Sequence, residues 1–332
     1  MNLVNAMEYW QGRVDSETDY EAFRWHQKVE PIDLNTAEPF TGKLGFVFIG
    51  FCSDLGVSRN RGRSGAALGP DFIRKQMATL PCNFQQEVKM YDAGDVDCTE
   101  ITLEAGQQRL SEAVKKALDL GLFPIVLGGG HETTFGHYMG HHDYRAEQYG
   151  TPDMGIINFD AHFDIRPYDK GASSGSMFRQ IADICEKENR PFRYLPVGIQ
   201  LHSNTVSLFH TAEKLGVQYI LAKELQEGGQ MEAIAKMDHF LFENKNLYVT
   251  VCTDVFSSAF APGVSAPQAL GLDPKEMLPL LKHTIRTRKV KGFDICEVAP
   301  RFDSDNTTAK LAAVLIFAVV ETMAECEGLL FF

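Results

Sequence analysis

Of the 332 residues, 44 are acidic and 32 basic, a net charge of −12, and 44% are hydrophobic. That is ordinary globular usage, which excludes a disordered chain, and the length fits one large domain or two ordinary ones. The acidic balance goes against general binding to nucleic acid or anionic membranes, which need a cationic face, but leaves room for a local basic pocket.

In chain order, residues 1–40 read as an N-terminal extension lying over a single domain at 41–332. The opening MNLVNAMEYWQGRVDSE lacks the basic start and apolar core of a signal peptide. Strands are predicted at 44–51, 88–96, 123–128, 154–159, 194–199, 217–222, 247–252 and 292–298. They are rich in Val, Ile, Phe and Tyr without clean polar alternation, as expected of strands covered on both faces. Amphipathic helices are predicted at 71–79, 103–121, 231–244 and 274–287, and a nearly all-apolar one at 308–326 that packs on the sheet. The apolar run 311–320 is short of the ~18 residues a membrane span needs. Strand–helix alternation of this kind predicts an α/β fold with a mostly parallel sheet between two helical layers. Seven scattered cysteines, an odd number without paired spacing, point to a reducing, cytoplasmic setting.

Open parallel sheets collect ligands beyond the carboxyl ends of their strands, and three polar clusters fall there. Gly128-Gly129-Gly130 allows a sharp turn that projects His131 over the strand ends; alone it reads more readily as a glycine turn with a passing histidine. Asp160, His162 and Asp164 alternate along one extended segment and so converge. Two carboxylates and an imidazole at the end of a buried strand are costly without a cation between them, and a divalent metal is the simplest one. A solvated loop with incidental charges is the alternative. Cys252 and Asp254 close the strand LYVTV on a shared face, although a buried Cys is more often a small hydrophobe. His141, His142 and Asp143 read as a solvated loop, and the methionines of 231–237 as core.

The ordered set GGGHE (128–132), NFDAHFD (158–164), VCTDVFSSAFAPGVSAP (251–267) and DICEVAP (294–300) resembles the ureohydrolases, the arginase and agmatinase superfamily of dinuclear manganese hydrolases. Trp10-Gln11-Gly12-Arg13, the loop from Gly56 to Ala66 and the AFAPGVSAP stretch look most like its formimidoylglutamase branch. The likeness runs from about residue 10 to about residue 325. It implies a three-layer α/β/α sandwich with an eight-stranded, mostly parallel sheet. It further implies that one Mn2+ ion is held by His131, Asp160, Asp164 and Cys252, and a second by Asp160, His162, Cys252 and Asp254. Glu297 would pair with the cationic amidine of a small-molecule substrate, Asn60 and Arg63 would contact its carboxylates, and Asp164 would shuttle a proton. The reaction implied is hydrolysis of N-formimidoyl-L-glutamate to L-glutamate and formamide, a step of histidine breakdown, with a homo-oligomer as the assembly to be expected.

Two departures matter. The family usually reads D-x-D where this chain has Cys252-Thr253-Asp254. A thiolate keeps the charge, but sulfur is softer and metal–sulfur bonds are longer, about 2.3 Å against about 2.0–2.2 Å for oxygen to zinc. That leaves open a metal-poor protein with a binding or regulatory role. Arginases carry a histidine soon after the Ser-Ser-Gly run, where this chain reads Ser173 to Phe178 without one, which goes against arginase proper. Agmatinase and guanidinobutyrase stay as alternative specificities. Three arginines in five residues, Arg59, Arg61 and Arg63, favour a substrate with carboxylates, because the guanidinium fork matches them.

Overall fold

The computed structural model describes residues 3–332. In chain order the elements are β1 (Val29–Pro31), β2 (Leu44–Cys52), α1 (Leu55–Arg59), α2 (Gly69–Met77), β3 (Val88–Asp97), α3 (Leu103–Asp119), β4 (Phe123–Leu127), α4 (Thr133–Tyr149), β5 (Gly155–Phe159), α5 (Met177–Lys187), β6 (Tyr194–Ile199), α6 (Val206–Lys214), β7 (Ile220–Leu221), α7 (Ala222–Gln226), α8 (Gln230–Glu243), β8 (Leu247–Cys252), α9 (Pro274–Arg286), β9 (Val290–Cys296) and α10 (Thr307–Cys326). The nine strands form one sheet in the order β1-β3-β2-β4-β9-β8-β5-β6-β7, and every pairing is parallel.

Alternate residues of the strands feed opposite cores, as expected of a sheet covered on both faces. Phe46 and Phe48 of β2 join Ile73, Met77, Ile316 and Val319 of α2 and α10, while Val47 and Ile49 join Leu110 and Val114 of α3. On that second face, Tyr138, Phe178 and Leu208 of α4, α5 and α6 cover β5, β6 and β8. The result is the three-layer sandwich. No helix among the described residues is long and apolar enough to cross a membrane.

The sheet has nine strands, not eight. The extra one, β1, lies in the segment read as an extension, and pairs Val29–Pro31 with Met90–Asp92 of β3. Its three residues hold too little apolar pattern to register as a strand. The segment is also pinned by the Trp10 indole N–H, which donates to Asp92 at 2.6 Å; residues 1 and 2 of it lie outside the described residues. The predicted 217–222 strand shrinks to Ile220–Leu221 at the sheet edge.

Two further readings are corrected. His141 and His142 are not in a solvated loop but buried in α4. Gly136 and Gly140 disguise that helix, since glycine lowers helix propensity by about 1 kcal/mol. Their purpose is the contact with α3: a Cβ at Gly136 would sit 2.7 Å from the Gln107 carbonyl oxygen, and one at Gly140 2.6 Å from Val114 Cβ. Within 231–237, Met237 is core but Met231 is 82% exposed, because it opens α8 on the solvent side. Gly136→Ala is therefore expected to lower the melting temperature. Overpacking of roughly 1–3 kcal/mol outweighs the ~1 kcal/mol of helix propensity gained, and a rise in melting temperature would contradict the close-packing role.

Candidate metal centre

β4, β9, β8 and β5 are consecutive in the sheet, so their carboxyl ends bring together residues 131, 160, 252 and 297 from distant parts of the chain. Each end is shaped for this. Gly129 lets the turn after β4 pass under β2, because a Cβ there would lie 1.9 Å from the Ser53 carbonyl oxygen. Asp164 and Glu297 hold left-handed backbone angles, φ 48° and 69°, which non-glycine residues adopt at a cost and keep mainly where function requires it.

Asp160 is the hub. It is fully buried, and its two oxygens face different imidazoles: Oδ2 lies 3.1 Å from His131 Nδ1 and Oδ1 3.4 Å from His162 Nδ1. Asp164 Oδ2 is 3.0 Å from His131 Nδ1, and Asp254 Oδ2 is 3.2 Å from His162 Nδ1. Two ligand sets result, each with donor atoms within 4.8 Å of one another: His131, Asp160 and Cys252, and Asp160, His162 and Asp254. They share Asp160. The resemblance had Cys252 serving both; the tight sets place its sulfur with the first. His131 Nε2 meets the Thr250 hydroxyl at 3.0 Å, which orients the ring so that Nδ1 faces the carboxylates.

The electrostatics of this cluster call for cations. Burial pushes the Cys252 thiol well up, and Asp254, Asp160 and Glu297 add to the shift. Burial, Glu132 and Asp254 raise Glu297 in the same way. Asp164 rises to about 6, chiefly by burial and then by Asp160. Burial opposes ionisation of Asp160 too, but hydrogen bonds with His131 and His162 hold it low. Asp254 Oδ1 and Glu297 Oε2 are buried acceptors without a hydrogen bond. At an effective dielectric of 20, two like charges 4 Å apart cost about 4 kcal/mol, so several carboxylates here without balancing charge would be prohibitive. The donors are carboxylate, imidazole and one thiolate, a set that fits divalent transition metals. Another acidic group, Cys52, Asp71 and Asp95, already has its cation: the buried Arg74 guanidinium, 2.6 Å from Asp95 and 2.7 Å from Asp92.

The centre opens into a cavity of about 290 Å3 lined by His131, His162, Asp164, Cys252, Asp254 and Glu297, with Asn60, Arg61, Arg63 and Arg166 around it. Glu297 Oε1 accepts the His131 backbone N–H at 2.9 Å, which leaves Oε2 for a ligand. Asn60 and Arg63 line the cavity as expected, but the Arg63 guanidinium donates to the carbonyls of Val264 and Ser265 and stacks on Phe302. Arg59 is elsewhere, paired with Glu104. Arg166 has no ion pair or side-chain hydrogen bond among the described residues and was missed from sequence; continuing the alternation 160, 162, 164 by one step reaches it. Glu132 was also missed as a site group: it is buried against the Gly56 N–H at 2.7 Å, and burial raises it to about 7.

Residues 44–321 match the model of the arginase family. The chain is 55% identical to a formimidoylglutamase of Clostridium tetani over 325 residues, 97% of this chain and 96% of that one. It is 44% identical to a formimidoylglutamase of Legionella pneumophila, covering 94% and 95%. Among solved structures it resembles Trypanosoma cruzi formiminoglutamase with two Mn2+ ions, at a TM-score of 0.74 and 26% identity over 88% of this chain and 98% of that one.

Because Asp160 belongs to both ligand sets, the two flanking imidazoles should separate the sets experimentally. Asp160→Ala is expected to abolish bound divalent metal, whereas His162→Ala keeps about half of the wild-type content, measured by plasma emission after gel filtration. Cys252→Ser, neutral where the thiolate is charged, should lose metal and Cys252→Asp should keep it. Serine behaving as wild type would make Cys252 a packing residue only.

Proposed function

The chain belongs to the arginase family, and we propose that it hydrolyses N-formimidoyl-L-glutamate to L-glutamate and formamide, a step of histidine breakdown, using two Mn2+ ions. The reading rests on its formimidoylglutamase relatives and on one observation. A single cavity joins a carboxylate oxygen free to meet a cation, Glu297 Oε2, to arginines able to meet anions. Formimidoylglutamate carries both charges, a formamidinium on its α-nitrogen and two carboxylates, one on the adjoining α-carbon and one at the end of the side chain. Agmatine carries no carboxylate, which disfavours agmatinase.

His131, Asp160, Asp164, Cys252, His162 and Asp254 would hold the ions. Manganese, when bound, supplies Lewis acidity and lowers the pKa of water at the site. Glu297 holds the amidinium nitrogen and so aligns the formimidoyl carbon. Asp164 accepts the proton of the attacking water and hands it to the glutamate nitrogen as the carbon–nitrogen bond breaks. Arg166 binds a substrate carboxylate directly. Arg63 acts differently from the simple sequence expectation: it fixes the Val264–Ser265 wall and presents its remaining guanidinium edge. Asn60 lies beside Gly175, near Arg166, and completes the polar end.

Residues 41–332 would act as one catalytic domain. The seven free thiols support a cytoplasmic setting, and the net charge of −12 goes against a nucleic-acid partner. Self-association into a homo-oligomer belongs to the same reading.

With added Mn2+, turnover of formimidoylglutamate is expected to exceed that of arginine and agmatine by orders of magnitude; preferred turnover of agmatine would overturn the assignment. Arg166→Ala should raise KM by roughly ten- to a hundredfold, the equivalent of about 1.5–3 kcal/mol for a charge-assisted contact, at unchanged metal content. Unchanged kinetics would remove Arg166 from the site.

A further inference from the structure

A second cavity, of about 650 Å3, lies at the opposite end of the sheet from the metal centre. Leu44, Phe123 and Lys291 place it at the amino ends of β2, β4 and β9, and His141 and Arg145 of α4 form one wall. Its size is within the range of small-molecule sites.

Buried polar atoms without partners mark both cavities, with opposite sign. At the metal centre they are carboxylate oxygens. Here they are nitrogens, His141 Nδ1 and Arg145 Nε. Lys43, Arg145 and Lys291 line the cavity and form no ion pair among the described residues; Arg288 alone is matched, by Glu327 at 3.6 Å. Burial, and then the charge of Arg145, lowers Lys291, so these cations face one another in a chain of net charge −12.

The amino end of a parallel sheet is also where helices end, and cations there often serve helix carboxyl termini. Such cations donate to the last carbonyls, as Lys289 does to the Leu241 carbonyl at 2.5 Å. The side chains of Arg145 and Lys291 donate no hydrogen bond to any described residue, and the Arg145 guanidinium only lies over the Tyr149 ring at 5.1 Å, so helix capping does not account for them.

His141 also ends a buried polar chain. His141 Nε2 meets His137 Nε2 at 3.3 Å, and His137 Nδ1 meets Asp294 at 2.9 Å. Asp294 accepts from Thr134, whose hydroxyl meets Thr250 at 3.1 Å, and Thr250 meets His131. A buried chain of this kind is favourable only when its members are satisfied. One end is satisfied at the metal centre, and the other, Nδ1 of His141, is left at the cavity. Burial, then the charges of His137, Arg145 and Lys291, disfavour a proton on His141; a bound oxyanion offsets those charges, and a protonated imidazole donates from both nitrogens, so an acceptor in the cavity would complete the chain.

We propose that this cavity binds a small oxyanion, a carboxylate or phosphate group carried on an apolar body. The charged group lies among His141, Arg145 and Lys291, and the apolar body rests on Leu122, Phe123 and Met323. The proposal is independent of the substrate assignment.

Calorimetric titration of the metal-loaded protein with benzoate, phenyl phosphate and inorganic phosphate tests it. At least one aromatic oxyanion is expected to bind, more tightly than inorganic phosphate, and the stronger arm identifies carboxylate or phosphate. Lys291→Met and Arg145→Met should each weaken that binding by about tenfold or more, with thermal melts confirming that both variants fold. Lys43→Met, at an exposed position, should weaken it without touching the interior. Binding undiminished in these variants, binding of inorganic phosphate alone, or no binding of any probe at about 10 mM would overturn the proposal.

Discussion

Negative charge crowded into the interior at the carboxyl ends of four adjacent strands is the constraint on which the rest of the structure depends. Asp160, Asp164, Asp254 and Glu297 are all buried, and a thiol lies among them. Imidazoles stand on either side of Asp160, but two of them do not balance this set, and the lone oxygens of Asp254 and Glu297 remain. A buried charge left without an opposite partner is strongly destabilising. Cations between the two halves convert the same cluster from a liability into a rigid hub. Elsewhere the chain solves the equivalent problem with its own side chain: Arg74 sits between Asp92 and Asp95 with hydrogen bonds of 2.6–3.1 Å.

The topology serves that hub. Strands β4, β9, β8 and β5 run side by side although they are widely separated in sequence, and the parallel arrangement points all four carboxyl ends the same way. Layers of apolar side chains fix the strands, so the ligands, Cys252 at the end of β8 and the others on the turns just beyond the strand ends, are held close to rigid elements. Below the hub, the hydroxyls of Thr250 and Thr134 and the carboxylate of Asp294 link His131 to α4. This column occupies the position of a dry core and shows why α4 carries histidines on its buried side.

Much of the metal centre was legible in the sequence because strand geometry is periodic. Asp160, His162 and Asp164, and the pair Cys252 and Asp254, do converge, although the chain leaves its strands at Phe159 and Cys252 and Asp164 turns with a φ of 48°, and the parallel sheet follows from strand–helix alternation. What was illegible depended on tertiary contacts. The histidines of α4 looked like a loop because Gly136 and Gly140 weaken the helical pattern, and only the approach of α3 explains those glycines. β1 exists because β3 offers an edge. The cluster Arg59, Arg61, Arg63 looked uniform, yet Arg59 turns to Glu104, Arg63 braces a loop, and Arg166, far away in sequence, enters the same cavity. Spacing along a chain does not reveal which of several guanidiniums is already engaged.

The central claim is that two cations share Asp160, one beside His131 and Cys252 and the other beside His162 and Asp254. Anomalous diffraction at the manganese edge from crystals of the manganese-loaded protein tests this most directly. Two anomalous peaks flanking the Asp160 carboxylate, each against one of those residue pairs, are the predicted result. A single peak, or peaks away from Asp160, would contradict the account.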